Sequence, residues 1–319
     1  STAALLTTVA PNIDEYGDEL MDGNEHTVEY YARHKWDQTT LSIPDNFTAV
    51  EITGGVRLNC DDVADADSYE WWANINGAGS SLLATTTAST YDHTIAGGNV
   101  VTYKVRAKEG TLPVYSSFTS EVEVTLAITD QDGNVYTEVT IAGITLLVEN
   151  FKSTKFIDGS PIDLKTTAAD LYSASTSAMT FYNNDNSTNK SLYGGLYNSY
   201  CLFDASLLGI TGYHIMTVAE MDVIIADQGG LTASVPKMKE SGTTRWTTNN
   251  GTNTSGFTAV GGGRADAGGY RNLKGYGFYL TKGALPASSY NYYIEDGNSA
   301  TVKIACDTHG GYTIRLVKD

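Results

Sequence analysis

Tyr103-Lys104-Val105-Arg106-Ala107 alternates apolar and charged side chains without a break. A period of two is that of a β-strand with one face on a core and the other in water. The same alternation appears upstream in Val56-Arg57-Leu58, which leads to Cys60, and in Tyr69-Glu70-Trp71, and downstream at Val122 and Val124. Asn76-Gly77 and Gly97-Gly98 supply turn chemistry at the ends of such runs. Short strands at this spacing predict a β-sandwich over 44–127.

A chain of 319 residues exceeds one ordinary domain. Hydrophobic residues at 41% and aromatics at 10% are enough to build cores, while charged residues at 18% leave a neutral-polar surface. The net charge is −17, from 37 Asp and Glu against 20 Lys and Arg. The positive charges are scattered, so the basic stripe that a nucleic acid or an anionic membrane would need is missing. The longest apolar runs, such as 141–148, fall far short of the ~20 residues of a membrane helix. Three cysteines at wide spacing, Cys60, Cys201 and Cys306, read as small buried hydrophobes rather than a disulfide or zinc framework.

Residues 1–43 differ from the rest. An acidic cluster (Asp14, Glu15, Asp18, Glu19, Asp22, Glu25) precedes Glu29-Tyr-Tyr-Ala-Arg-His-Lys-Trp36, with little apolar periodicity. The segment is either a disordered acidic tail or an arm that docks on a partner. Tyr30, Tyr31 and Trp36 favour the arm, since exposed rings are costly.

Residues 128–319 predict a second, α+β domain. It opens with Thr129-Asp-Gln-Asp-Gly-Asn-Val-Tyr136 and a strand over 144–148. Asp132-Gly133 marks a turn; the later ligands of a calcium loop are missing. Tyr193, Leu196, Tyr197 and Tyr200 fall at helical spacing. Thr217-Val-Ala-Glu220 is a capping box, followed by Met221, Ile224 and Ile225, with a stop at Gly229-Gly230. Long-loop composition then extends to Arg271, and short strands resume at 277–280, 290–294, 301–304 and 312–317.

Two resemblances follow from these words. Phe47-Thr-Ala-Val, Gly55-Val-Arg-Leu-Asn-Cys60, Ala66-Asp-Ser-Tyr-Glu-Trp71 and Tyr103-Lys-Val-Arg-Ala107 resemble, in order, the fibronectin type III family. Tyr103 is similar to that family's strand-F tyrosine. Cys60 stands where the family usually has a core Trp, which implies repacking by Trp71 or Trp72. In the second domain, Asp132-Gly-Asn-Val-Tyr, Leu147-Val-Glu-Asn-Phe-Lys, Tyr193-Gly-Gly-Leu-Tyr-Asn, Thr211-Gly-Tyr-His, Met238-Lys-Glu-Ser-Gly-Thr-Thr-Arg-Trp246 and Arg315-Leu-Val-Lys-Asp319 resemble the bacterial major paralogous domain first described in Fibrobacter. That resemblance implies a C-type-lectin-like fold. The resemblance implies a pair of Cys at two positions held here by Gly209 and Leu316. Their joint absence leans toward assembly in a reducing cytoplasm, as for a phage structural protein.

Chemistry-bearing motifs are sparse. His26, His34, His93, His214 and His309 share no metal-ligand spacing, and Gly261-Gly-Gly-Arg264 lacks the strand-then-helix frame of a phosphate cradle. No catalytic residue, metal or cofactor is therefore expected. The candidate ligand-binding face is the tyrosine-rich C-terminal third: Tyr279, Tyr290, Tyr292, Tyr293, Asp296 and Asn298. Alternation sets Tyr290 and Tyr292 on one face and Tyr293 on the other, with at least one face expected to be exposed. Tyr276 and Phe278 are expected in the core. The expectation is a mainly β, non-enzymatic phage virion accessory protein, a head or tail fibre or decoration. Its lectin-like tip would meet a host-surface glycan or protein, its arm would dock on virion structural proteins, and it would form a homo-oligomer. A secreted or surface-anchored bacterial adhesin and a purely structural decoration protein are the alternatives.

Overall fold

The computed structural model describes residues 41–319 except 53, 111–113, 249, 285–288 and 298–299. The arm residues Tyr30, Tyr31 and Trp36, and Asn298, lie outside the described residues. The chain divides into two compact units, whose described parts are 41–93 with 100–124, and 94–99 with 125–319.

The first unit is a β-sandwich. Strands β1 (Thr48–Ile52), β2 (Gly55–Asn59) and β5 (Thr90–Thr94) make one sheet. The other sheet orders β4 (Ser80–Thr86), β3 (Ser68–Ile75), β6 (Val100–Glu109) and β7 (Val114–Tyr115), with β8 (Val122–Thr125) also pairing β6. The antiparallel register of β3 on β6 opposes Tyr69 to Ala107, Trp71 to Val105 and Ala73 to Tyr103. All six are buried, as the alternation predicted. Trp71 takes the central place, its ring near Phe47, Tyr69 and Tyr91 and its indole N–H donating to Thr86 Oγ1 at 2.7 Å. Trp72 points to the opposite face, edge-on to Phe118 and beside the Arg106 guanidinium. This is the fibronectin type III-like region, with Trp71 rather than Trp72 filling the core.

The second unit begins with β9 (Ile128–Thr129), β10 (Val135–Tyr136), and the hairpin β11 (Glu138–Ile141) with β12 (Ile144–Leu147). Then come β13 (Asp163–Leu164), helix α1 (Ala168–Tyr172), β14 (Ala178–Thr180), helix α2 (Thr188–Tyr193), β15 (Leu196–Tyr197) and β16 (Tyr213–Ile215). Helices α3 (Val218–Asp227) and α4 (Gly230–Met238) follow. The short hairpin β17 (Arg264–Asp266) and β18 (Gly269–Arg271) precedes β19 (Tyr276–Thr281), β20 (Tyr290–Glu295), β21 (Val302–Ala305), β22 (Thr313–Ile314) and β23 (Leu316–Lys318). Two four-stranded sheets dominate, ordered β11-β12-β23-β16 and β21-β20-β19-β22.

Each of these sheets sends alternate residues into two separate cores. Leu147, Leu316, Phe278 and Leu280 enter one, while Leu146, Val317, Tyr279 and Tyr292 enter the other. Helices α3 and α4 close the second core with Met221, Ile224, Ile225, Val235 and Met238.

Three sequence expectations need correction. The stripe from Tyr193 to Tyr200 is not one helix. Gly194, at φ 81 and ψ −165, ends α2; the next residues pair as β15, and Ser199–Phe203 forms a 3-10 turn. A Cβ on Gly194 would also meet Asn150 and the Phe151 carbonyl, so only glycine fits. Gly229-Gly230 does stop α3, but a new helix starts at once, with Val235 and Met238 turned inward. Cys306 is only half-buried, at the edge of the first core, and its thiol also hydrogen-bonds with Ser199 at 2.8 Å. The Thr217–Glu220 capping box is present as expected.

Candidate functional site

The predicted tyrosine face does not exist as an exposed surface. Tyr279 and Tyr292 are fully buried, and Tyr290 packs against the same core; on the other side, the half-buried Tyr293 lies 5.5 Å from Phe278 and 5.7 Å from Tyr276, centroid to centroid. The side chains do alternate, but the sheet has a core on both sides. The buried phenols are satisfied internally: Tyr279 Oη accepts from Val260 N at 2.8 Å, and Tyr292 Oη donates to Asp222 Oδ1 at 2.6 Å. Burial pushes both phenols above their ordinary range. Phe278 is core as expected, whereas Tyr276 is half-buried and bonded to Glu295.

Asp296 also turns inward. Its side chain is 7% exposed and pairs with Lys239, whose side chain is 0% exposed. Thr248 donates to it through N at 2.9 Å and Oγ1 at 2.7 Å. Burial would raise this carboxyl, but the bonds from Lys239 and Thr248 outweigh burial and hold it below its ordinary value. Lys239 Nζ further donates to Asn250 Oδ1 and lies 4.5 Å from the centre of the buried Trp246 ring. These groups organise the segment between α4 and β17, where the described residues form no regular helix or strand.

A half-exposed ring cluster forms elsewhere in the second unit. Tyr172 ends α1, Tyr200 sits in the 3-10 turn, and His309 lies in the turn that leads to β22. The His309 ring centre is 5.6 Å from that of Tyr172 and 5.7 Å from that of Tyr200, with Tyr200 edge-on. Tyr200 Oη and His309 Nε2 are 3.3 Å apart. Asp307 fixes this turn: its Oδ1 accepts from His309 N at 3.1 Å and its carbonyl from Gly310 N at 3.2 Å. Ser199 N donates to Thr308 O at 3.1 Å, which ties the 3-10 turn to it. His309 and Asp307 side chains remain 40% and 44% exposed. The Asp307 charge and its hydrogen bond with Tyr172 raise that phenol above its usual value.

Two phenols, an imidazole and a carboxylate thus share one accessible patch on a rigid frame. Such a set can stack on an apolar face and exchange hydrogen bonds around it. Sequence reasoning missed it because its residues come from three separate segments. Tyr200 falls on an apparent helix stripe, and His309 has no metal-ligand spacing to single it out. The Asp307-Thr-His-Gly-Gly311 turn was the available signal.

Residues 139–318 match the Fibrobacter succinogenes major domain. The chain belongs to this family. The ring cluster, the buried Lys239–Asp296 pair and both four-stranded sheets fall within the family domain, except the first residue of β11. No curated protein matches the chain. Among solved structures, it is similar to a Fn3-like protein from Clostridium thermocellum, at 22% identity and a TM-score of 0.24, covering 27% of this chain and 92% of that one. It is also similar to a structure described as FN3tt mut, at 21% identity and a TM-score of 0.24, covering 27% of this chain and 97% of that one.

Proposed function

We propose that this protein is a non-enzymatic phage virion accessory component, a fibre or decoration, whose second unit is a C-type-lectin-like domain that binds a host-surface glycan or protein. The observation that carries binding is the Tyr172–His309–Tyr200 cluster beside Asp307. Pyranose rings present an apolar face bordered by hydroxyls, which suits half-exposed aromatics next to a carboxylate and an imidazole. The lectin-like reading draws support from the β11-β12 hairpin flanking the last strand, β23, and from the irregular segment between α4 and β17. The virion setting draws support from free Cys60, Cys201 and Cys306, and from Gly209 and Leu316 at the family's cysteine positions. Arm residues Tyr30, Tyr31 and Trp36 are the proposed docking contacts.

Capture of host cells or arrayed glycans by the purified chain tests the binding role. Tyr200→Ala and His309→Ala should each weaken capture about tenfold or more, roughly 1.4 kcal/mol, with little change in folding. Unchanged capture in both variants would reject the cluster as the site. Mass spectrometry of purified particles tests the virion setting, and recovery of the chain only from a cell-envelope fraction would reject it.

A further inference from the structure

The triad Lys239, Asn250 and Asp296 has a chemistry that a structural ion pair does not need. Lys239 is wholly inside the molecule, beneath the Trp246 ring, and its amine contacts both the Asp296 carboxylate and the Asn250 side-chain oxygen. The amide carbon of Asn250 is one bond from that oxygen, so an amine and a carboxamide carbon are held together beside an acid. Backbone packing keeps them there. Thr252 N donates to Pro236 O at 2.7 Å, and Asn253 N to Lys239 O at 3.1 Å. At Gly251 a Cβ would collide with the Lys239 and Glu240 carbonyls, so glycine lets this loop close directly onto the lysine's own backbone.

We propose that Lys239 and Asn250 become joined by an intramolecular isopeptide bond, with Asp296 carrying the proton. The Lys239 ammonium touches the Asp296 carboxylate directly, so the acid is placed to take a proton from the lysine nitrogen as that nitrogen turns on Asn250. The freed Lys239 amine attacks Cγ of Asn250, forming the N–C bond. Asp296 returns its proton to the departing amide nitrogen as the C–N bond breaks, and takes up the proton released by the lysine nitrogen. The products are a secondary amide, one ammonia and a neutral Asp296, so charge and atoms balance without any co-reactant. Fixed proximity supplies the rate, as for other intramolecular acyl transfers. Asn250 is an exposed loop residue, which leaves ammonia a way out. The bond would staple the irregular segment after α4 in a protein whose three cysteines are free.

The intact mass of the full chain decides the matter. It should fall short of the sequence mass by one ammonia, and Lys239→Arg and Asn250→Ala should each restore the full mass. Trypsin should yield a branched peptide, with 238–245 attached through Lys239 to 246–264 and no cleavage after Lys239. Full sequence mass in the wild type would overturn the proposal, as would loss of one water, which would place the bond at Asp296. Loss of ammonia that persists in Lys239→Arg would also overturn it, since that result describes a succinimide at Asn250-Gly251. A bond that still forms in Asp296→Ala would remove Asp296 from the reaction. The wild-type mass stands even if a variant fails to fold.

Discussion

Arg315 Nε donates to Asn150 Oδ1 at 2.6 Å across 165 residues of chain, with both side chains buried. The same guanidinium donates to the carbonyls of Leu147, Phe257 and Thr258, under the rings of Phe257 and Tyr279. Asn150 in turn donates to Tyr193 O at 2.8 Å. One buried cation therefore gathers β12, the irregular segment and the last strands. Asn150→Ala should destabilise the second unit by about 1.5–3 kcal/mol for the charged bond alone, read as a lower urea midpoint. A shift under about 0.5 kcal/mol would mean that water takes the amide's place.

Tyr292 is core, so Tyr292→Ala should cost roughly 3–5 kcal/mol of folding free energy. Tyr290→Ala, at a half-buried position, should cost clearly less. Thermal or urea unfolding of the two variants side by side checks the order, and equal effects would contradict the burial difference between them.

His214 links three segments, with Nδ1 2.7 Å from Asp319 and Nε2 2.8 Å from Glu220, the capping-box residue of α3. Burial lowers this imidazole, but its hydrogen bonds to the Asp319 and Glu220 carboxylates outweigh it and leave the folded value raised. A raised folded value means that the stabilisation is complete below the unfolded value of about 6.5 and fades as pH climbs through the folded one. Unfolding midpoints should therefore drop as pH rises above about 6.5, and His214→Gln should flatten that part of the profile. A wild-type profile that stays flat from pH about 6 to 9 would show that the charge contributes nothing.

Host capture should be insensitive to EDTA. Asp130 and Asp132, the acids of the apparent calcium loop, are already engaged: Asp130 by Asn134 and Tyr136, Asp132 by Thr154 and Lys155. Among the described residues no cluster of acidic, His or Cys side chains could hold a cation. Loss of capture on chelation, restored by calcium, would contradict this.

Gly194→Ala should destabilise the second unit by more than about 1–3 kcal/mol, because the backbone there occupies a region that is essentially glycine-only and the new methyl meets Asn150. Near-wild-type unfolding would show that the α2 end can relax.

The parts of the fold legible in the sequence were those with a short-range cause. Alternation marked β3, β6 and β20, and the Thr217–Glu220 box started α3 at its observed residue. What sequence could not supply was which face of β20 meets water, because that depends on α3 and α4 covering one side and on Phe278 and Tyr276 lining the other. The tyrosine-rich composition that suggests a binding surface equally suits a doubly covered sheet. The ring cluster failed to register for a related reason: Tyr172 and His309 are 137 positions apart and only the fold brings their rings within 5.6 Å. Conversely, Asn150 and Arg315 belong to two of the words that carried the family resemblance, and their direct bond explains why those words need each other.

The antiparallel pairing of β12 with β23 has an architectural corollary. Lys318 Nζ reaches Glu138 Oε1 at 3.0 Å, so the domain's entry and exit points are side by side. A unit whose ends meet in this way can be spliced into a surface loop of an unrelated host, or strung in tandem copies, without stretching either partner. That freedom of placement follows from the Glu138–Lys318 pair, which holds the first and last strands of the family domain side by side.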